Sequence, residues 1–340
     1  MYDVIAIGSV TRDVFFDASG LSTVPWKKTQ SGRGIVLPLG DKIEAKEIYF
    51  TIGGNSANAS VTFSRQDFNT ACVGRVGRDV AGSEILNRLK KEKIYAGMIS
   101  SDNKLPTAYS VLLLKNGERT ILSYHGSSND FSLDDFKLGD LKAKWWYLSL
   151  AGSSYKMYGK LLSYASREKI AVAFNPSGYH LKMDKKGILS SLKHISFLVL
   201  NEEEAAILTG IPFSNERAVF KKLDALMPGV LAVTNGSKGV TVSDGHFIYR
   251  ASTFKEKKLA DRTGAGDAFG SGFVAGLMKD GINLSNISRI SEKEVKEAII
   301  YASANATSVV EHVGATEGIL TARELKQPRW ENLKIKVEKL

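Results

Sequence analysis

The sequence predicts a three-layer α/β/α fold, with a central, mostly parallel sheet covered by helices and a small β-sheet lid. Three observations carry this expectation. Short apolar runs alternate with helical stretches along most of the 340 residues, the pattern of a parallel sheet covered on both faces. Two segments, 13–52 and 107–125, carry strand signals without crossover helices, so they belong on another sheet. Late in the chain, residues 261–273 read DRTGAGDAFGSGF and place four glycines around one helix start. Glycine there lets the main chain turn sharply and come close to another molecule.

The elements follow in order. The apolar run at 4–7 has no basic region before it, so it reads as a first strand and not as a signal peptide. Runs at 71–73, 146–150, 170–174, 197–200 and 231–233 read as further buried strands. A helix is expected over 80–93, with Asp79 as its N-cap and apolar spacing at Ile85, Leu86 and Leu89. Others are expected over 155–169, 202–209 (stopped by Gly210 and Pro212), 217–226, 267–279 and 292–311. The first insertion holds a strand-like stretch at 47–52. The second reads as a hairpin of 108–114 and 119–125 around a turn at Asn116-Gly117. The expected organisation is therefore a nucleotide- and substrate-binding body of 1–12, 53–106 and 126–330, with 13–52 and 107–125 meeting as the lid. Such a lid closes over a site and excludes water. Residues 327–340 form a tail, docked or loose.

Composition bounds the class. With 43% apolar and 24% charged residues and no run of eighteen apolar residues, the chain reads as a soluble globular protein without a membrane partner. Its single cysteine, Cys72, sits in an apolar run and reads as a buried, inert thiol. No internal disulfide or multi-cysteine metal site is open to it, and a cytoplasmic protein is expected. The net charge of +10 raises nucleic acid as a partner. The lysine runs at 90–93 and 255–258 are interrupted by acids and do not interleave with aromatics, so they read as solvated faces. No nucleic-acid partner is expected.

Chemistry concentrates at 261–273. No Walker-type glycine loop ending in Lys-Ser/Thr occurs, and Gly270 stands one residue too far from Gly266 for the dinucleotide fingerprint. The protein-kinase motif set is also missing. A glycine-rich helix cap with Asp267 as an ordinary N-terminal charge is one reading. The other lets the amides of Gly264, Ala265 and Gly266 converge on phosphoryl oxygens, where fixed dipoles stabilise developing charge. A carboxylate in that place would repel phosphate unless it takes a proton from an attacking hydroxyl, and Asp267 is the candidate.

This stretch resembles the signature of the PfkB, ribokinase-like carbohydrate kinase family, usually Asp-Thr-Thr-Gly-Ala-Gly-Asp. The resemblance extends to Gly53-Gly54-Asn55-Ser56-Ala57-Asn58 with VGRVGRDVAG at 73–82, to Asn201-Glu202-Glu203-Glu204, and to Thr234-Asn235-Gly236-Ser237-Lys238-Gly239. The motifs keep their order from about residue 3 to residue 320. The resemblance implies a ribokinase-like fold and an ATP-dependent kinase acting on a hydroxyl of a sugar-like molecule. It implies Asp267 as base and Gly264, Ala265 and Gly266 as anion hole. Thr11, Asp13, Gly54 and Asn58 would hold the sugar, where carboxylates and amides suit vicinal hydroxyls. Asn201, Thr234, Gly236, Ser237, Gly239 and Ser303 would lie along the nucleotide. Glu204 would hold Mg²⁺ through water. A monovalent cation near Asp261 and Thr263 belongs to part of the family, and a homodimer through the lid sheet is expected.

Alternatives stay open at this point. A nucleoside kinase of the same family is one, and a non-catalytic sugar or nucleotide sensor is another. Asp13 has a purely structural reading. Glu202-Glu203-Glu204 taken alone is a solvated helix start. His125 is read as a surface residue or a substrate contact. Arg262 replaces the usual threonine and would either clamp phosphate or pair with a carboxylate. Ribokinases proper carry a glutamate near 148–152, which is Leu-Ser-Leu-Ala-Gly here, so ribose is not indicated. Ser303 stands where many relatives have asparagine, with Asn305 close by.

Overall fold

Strands buried on both faces need apolar side chains at successive positions, and the body of this chain supplies them. The computed structural model describes every residue except 28–30 and 116. The chain enters through β1 (Tyr2–Gly8) and passes into β2 (Thr11–Asp17). A small hairpin of β3 (Thr23–Pro25) and β4 (Arg33–Ile35) follows, then β5 (Ile48–Gly53) and helix α1 (Asn55–Arg65). Next come β6 (Thr70–Gly77), α2 (Val80–Lys91) and β7 (Tyr95–Asp102), then β8 (Ala108–Lys115) and β9 (Glu118–Tyr124). The chain returns through β10 (Ala143–Ser149), α3 (Tyr158–Arg167), β11 (Ala171–Phe174), α4 (Gly178–Met183) and α5 (Lys185–Ser191). β12 (Phe197–Asn201), α6 (Glu202–Thr209), α7 (Glu216–Asp224), β13 (Val230–Thr234), β14 (Val240–Ser243) and β15 (Phe247–Ala251) continue it. Helices α8 (Ala265–Lys279) and α9 (Glu292–Val310) precede the last strand, β16 (Ile335–Lys339).

Among the described residues, ten strands form one sheet in the order β16-β15-β14-β13-β12-β11-β10-β1-β6-β7. Every pairing from β13 to β7 is parallel, and β14, β15 and β16 extend that sheet antiparallel. Side chains on β10 alternate between the layers. Trp146 and Leu148 join the core that includes Leu161 and Leu162 of α3 and Phe220 of α7. Trp145 and Tyr147 join the core that includes Phe273 of α8 and Ile299 of α9. The strand order reverses at β1, which is flanked by β6 and β10. In such sheets ligands bind beyond the carboxyl ends of the strands at the switch point. That crevice lies between Ser9, just after β1, and Ala151, just after β10.

Strands from the two insertions pair in a separate four-stranded sheet, β5-β2-β8-β9. β2 runs antiparallel to β5 and parallel to β8, and β8 and β9 form the hairpin. Asn116 of the expected turn lies outside the described residues, while Gly117 has φ +77°. β2 begins at Thr11, ahead of the expected boundary at 13, because Thr11 already pairs with Gly53 and Ala108.

Several boundaries differ from the sequence expectation. Helix α8 starts at Ala265, not at Asp267, since Gly264 in the left-handed region serves as its N-cap. α3 starts at Tyr158 after a 3₁₀ turn at Gly152–Met157. β7 was not expected: as an edge strand it carries polar residues at Ser100, Ser101 and Asp102 that mask a periodic signal. α4 and α5 are too short to show periodicity. The tail docks, and β16 pairs with β15 as the lysine-rich opposite edge. No helix among the described residues is long and apolar enough to cross a membrane.

Candidate active site

Helices α1 and α8 both begin at the crevice with a glycine N-cap at positive φ, Gly54 at +90° and Gly264 at +80°. A Cβ on Gly264 would fall 2.5 Å from the Ala315 side chain, so only glycine fits this turn. Helices α1, α3 and α7 start without a side-chain cap, whereas side chains close other helix starts. Asp79, Asn201 and Ser291 cap α2, α6 and α9 through their side chains. α8 has no side-chain cap, and among the described residues no partner accepts from the Gly266 and Asp267 backbone N–H groups. Unfilled donors at the positive end of a helix dipole form a ready anion site. Space beside the Gly266 Cα is open, so a ligand can reach these amides.

Asp267 opens onto a cavity of about 240 Å³ that also exposes Thr11, Asp13, Gly54, Asn58, Thr263 and Gly264. As a residue Asp267 is half-buried. Burial pushes its pKa up to about 6, a hydrogen bond from Asn58 pulls it down, and the Asp13 charge adds to the rise. Asn58, 4% exposed, donates from Nδ2 to Asp267 Oδ2 at 2.8 Å. Asn58 was expected to hold sugar; the structure shows it orienting the carboxylate, and its own Oδ1 is buried without a partner among the described residues.

Asp13 is 5% exposed at the lid–body seam. Thr11 Oγ1 donates to Asp13 Oδ1 at 2.9 Å. Burial raises its pKa. A Cβ on Gly53 would fall 1.9 Å from Asp13 Oδ2, so the glycine makes room for the carboxylate. Two carboxylates therefore face one cavity, and among the described residues no lysine or arginine lines it.

The expected nucleotide residues occupy a neighbouring stretch of the same sheet edge. Asn201 and Thr234 are register partners at the ends of β12 and β13. Gly236, Ser237 and Lys238 form one 3₁₀ turn, closed where Asn235 N donates to Gly239 O at 2.8 Å. None of these lines the cavity. Glu204 and Asn201 form a reciprocal capping box, with Asn201 N donating to Glu204 Oε2 and Glu204 N to Asn201 Oδ1, both at 2.8 Å. Burial raises the Glu204 pKa, and Glu203 and Asp267 add to the rise. Ser303 is buried in α9, and no hydrogen bond ties it to the 3₁₀ turn. Asn305 is structural: it donates to Ala268 O and accepts from Leu320 N, pinning α9 to α8 and the following loop. Asp261 is fully buried, and Thr263 N and Oγ1 donate to its Oδ1.

Arg262 turns to a carboxylate, and that carboxylate is on the other sheet. Its Nε lies 3.4 Å from Glu118 Oε1 of β9, without hydrogen-bond alignment. The side chains are 37% and 63% exposed, so the pair contributes little to stability. Next to it, Gly117 packs against Leu259, bringing the hairpin tip to the loop that leads into α8. His125 is exposed and stands at the cavity with Ser123 and Tyr124. Ser9, Asn55, Ser110 and Asn129 also line the cavity and were not singled out. They are small polar residues on four separate segments, and only the fold brings them together.

A mostly parallel sheet covered on both faces, with a second small sheet against its carboxyl edge, is the architecture of ribokinase-fold kinases. An Arabidopsis thaliana ribokinase complexed with ribose and ATP superposes with a TM-score of 0.72 at 21% identity, covering 97% of this chain and 99% of that one. A Giardia lamblia ribokinase gives 0.79 at 20%, covering 96% and 99%. The chain belongs to the pfkB family of carbohydrate kinases, phosphotransferases with an alcohol acceptor, whose family model matches residues 3–322. It is 27% identical to fructokinase-2 of Zea mays over 338 residues, 94% of this chain and 91% of that protein. It is 25% identical to a Bacillus subtilis ribokinase over 283 residues, 81% and 86% of the two chains.

Proposed function

We propose that this protein transfers the γ-phosphate of ATP to a hydroxyl of a neutral monosaccharide. The observation that carries the reading is Asp267 itself. It is a carboxylate with raised pKa, held by Asn58, inside the uncapped N-terminus of α8 and opposite Asp13. A charge in that place serves a proton transfer and little else. Asp13 and Thr11 orient the sugar, Asp267 takes the proton of the attacking hydroxyl, and the α8 amides stabilise the charge that builds on the transferred group. The exposed turn at 236–238 and Asn201 suit the nucleotide.

The donor set fits magnesium. Among the described residues no cluster of three acidic, His or Cys side chains forms a metal cage. Magnesium is usually held by one or two carboxylates plus waters and substrate phosphates, and Glu204 has a second oxygen beyond its capping bond. Glu204 would hold the ion through water, and the ion would neutralise phosphate charge.

The lining selects the substrate class. Two carboxylates, with no lysine or arginine beside them among the described residues, disfavour a sugar acid or sugar phosphate. A volume of about 240 Å³, below the roughly 300–1,000 Å³ of drug-sized pockets, with Tyr124 as its one Phe, Tyr or Trp side chain, suits a monosaccharide better than a nucleoside. The fructokinase and ribokinase relatives point the same way. The test is ATP consumption with neutral pentoses and hexoses, sugar acids and nucleosides. Turnover confined to nucleosides or acids, or none at all, removes the proposal.

The four-stranded sheet acts as a lid in this reading, and its outer face as the seam of a homodimer in the cytoplasm. Phe50, Val14, Val111 and Leu122 share one cross-strand row, and Phe50 and Leu122 are 55% and 56% exposed. One amide-exchange experiment addresses both roles. Sugar should slow exchange in 107–125 more than in α3, and raising the protein concentration should slow it in β5 and β9. A lid indifferent to sugar, or edge strands indifferent to concentration, removes the corresponding role.

A further inference from the structure

We infer that Arg262 and Glu118 form a charged latch that holds the small sheet closed over the sugar cavity. This inference rests on the sugar-kinase reading of that cavity. The hairpin of β8 and β9 is the moving part. Among the described residues β9 is an edge strand that pairs with β8 alone, and every one of its residues is exposed. The root of the hairpin forms cavity wall, through Ser110 of β8 and Ser123 and Tyr124 of β9. Its far end meets the loop before α8 at two points, Gly117 on Leu259 and Glu118 beside Arg262. A shift of the hairpin at that end therefore moves the wall that faces the sugar.

Arg262 is a fixed post for such a latch. The main-chain N–H groups of Ala260 and Asp261 both donate to Val310 O in α9, and Thr263 donates twice to the buried Asp261 carboxylate. From this anchored backbone Arg262 brings its Nε to 3.4 Å from Glu118 Oε1, and that Nε is shielded from water with no acceptor in alignment. A buried donor costs free energy until it is paired. A charge-assisted hydrogen bond is about 2.7–2.9 Å long, so an aligned approach of roughly half an ångström completes it. Among the described residues neither side chain has another ion pair or side-chain hydrogen bond to hold it back. The pair is partly solvated, and so weak enough to release on each turnover. The usual threonine of the family signature offers Glu118 no charge, so the latch belongs to this chain.

The test measures the sugar KM and the ATP KM of wild type, Arg262→Thr, Glu118→Gln and the double variant, at low and high salt. Each single variant should raise the sugar KM about two- to five-fold, the upper range for a partly exposed ion pair, with the ATP KM nearly unchanged. The double variant should be no worse than either single one, because the two side chains act as one contact. High salt should raise the wild-type sugar KM toward that of the variants and leave theirs in place. With sugar bound, amide exchange in β9 should be faster in the variants than in wild type. Glu118→Gln alone carries the test if Arg262→Thr fails to fold. A rise in the ATP KM confined to Arg262→Thr makes Arg262 a phosphate clamp and overturns the latch. Additive effects in the double variant overturn it too, since independent contacts add. Wild-type enzyme that phosphorylates no neutral monosaccharide overturns the sugar reading and the latch together, whereas an active wild type with an unaltered sugar KM in both single variants overturns the latch alone.

Discussion

Asp267→Asn should lower kcat by roughly 10²–10⁴, the usual contribution of a positioned general base. The amide keeps the shape of the carboxyl, and the α8 amides that would meet phosphate stay in place, so the ATP KM should change little. The pH profile gives the second signature. With its pKa pushed up to about 6 by burial, Asp267 is protonated below that pH, and kcat/KM should fall about ten-fold per pH unit there. The residual activity of Asp267→Asn should lack that limb. Stability should move the other way. A carboxyl whose folded pKa lies above its unfolded value of about 3.9 binds protons more tightly when folded, so stability drops as pH rises between the two values. At pH 7 the penalty is complete, and Asp267→Asn should have the higher Tm; below about pH 4 the difference should vanish. Near-normal turnover by the variant would remove Asp267 from the chemistry.

Asp13→Ala should raise the sugar KM by about ten- to a hundred-fold, the range for a hydrogen bond to a charged group. The side chain is almost fully buried against Gly53, and Thr11 would lose its partner as well. Because Asp13 lies on β2 and the expected nucleotide residues lie at and after the ends of β12 and β13, the ATP KM should be nearly unchanged. A variant that keeps its sugar KM and loses ATP would mean that the two subsites are exchanged. Measured on purified enzyme with the sugar found active, the two KM values separate these outcomes.

Legibility in the sequence followed the range of the interactions. The buried parallel strands were readable because burial on both faces demands consecutive apolar residues, as at Val4, Ile5, Ala6 and Ile7. The N-cap at Asp79 was readable because capping is local, and Asp79 does accept from Gly82 N. The glycine turn before Asp267 was readable for the same reason, although its helix begins two residues earlier. Edge strands were not: β7 and β16 have one solvated side and carry polar residues that blur the period. The partner of Arg262 was not readable either, since Glu118 is far away in sequence.

By itself, then, the sequence determined the α/β class, the two strand-bearing insertions and the glycine-rich helix start, because propensity, capping and burial act over a few residues. Only the tertiary structure decided that Asn58 holds Asp267, that Asn305 pins α9 to α8, and that Arg262 faces the small sheet. Each of these depends on a distance between groups on separate elements. Hydrogen bonds and ion pairs fall away within a few ångströms, and it is the folding of the whole sheet that sets those distances.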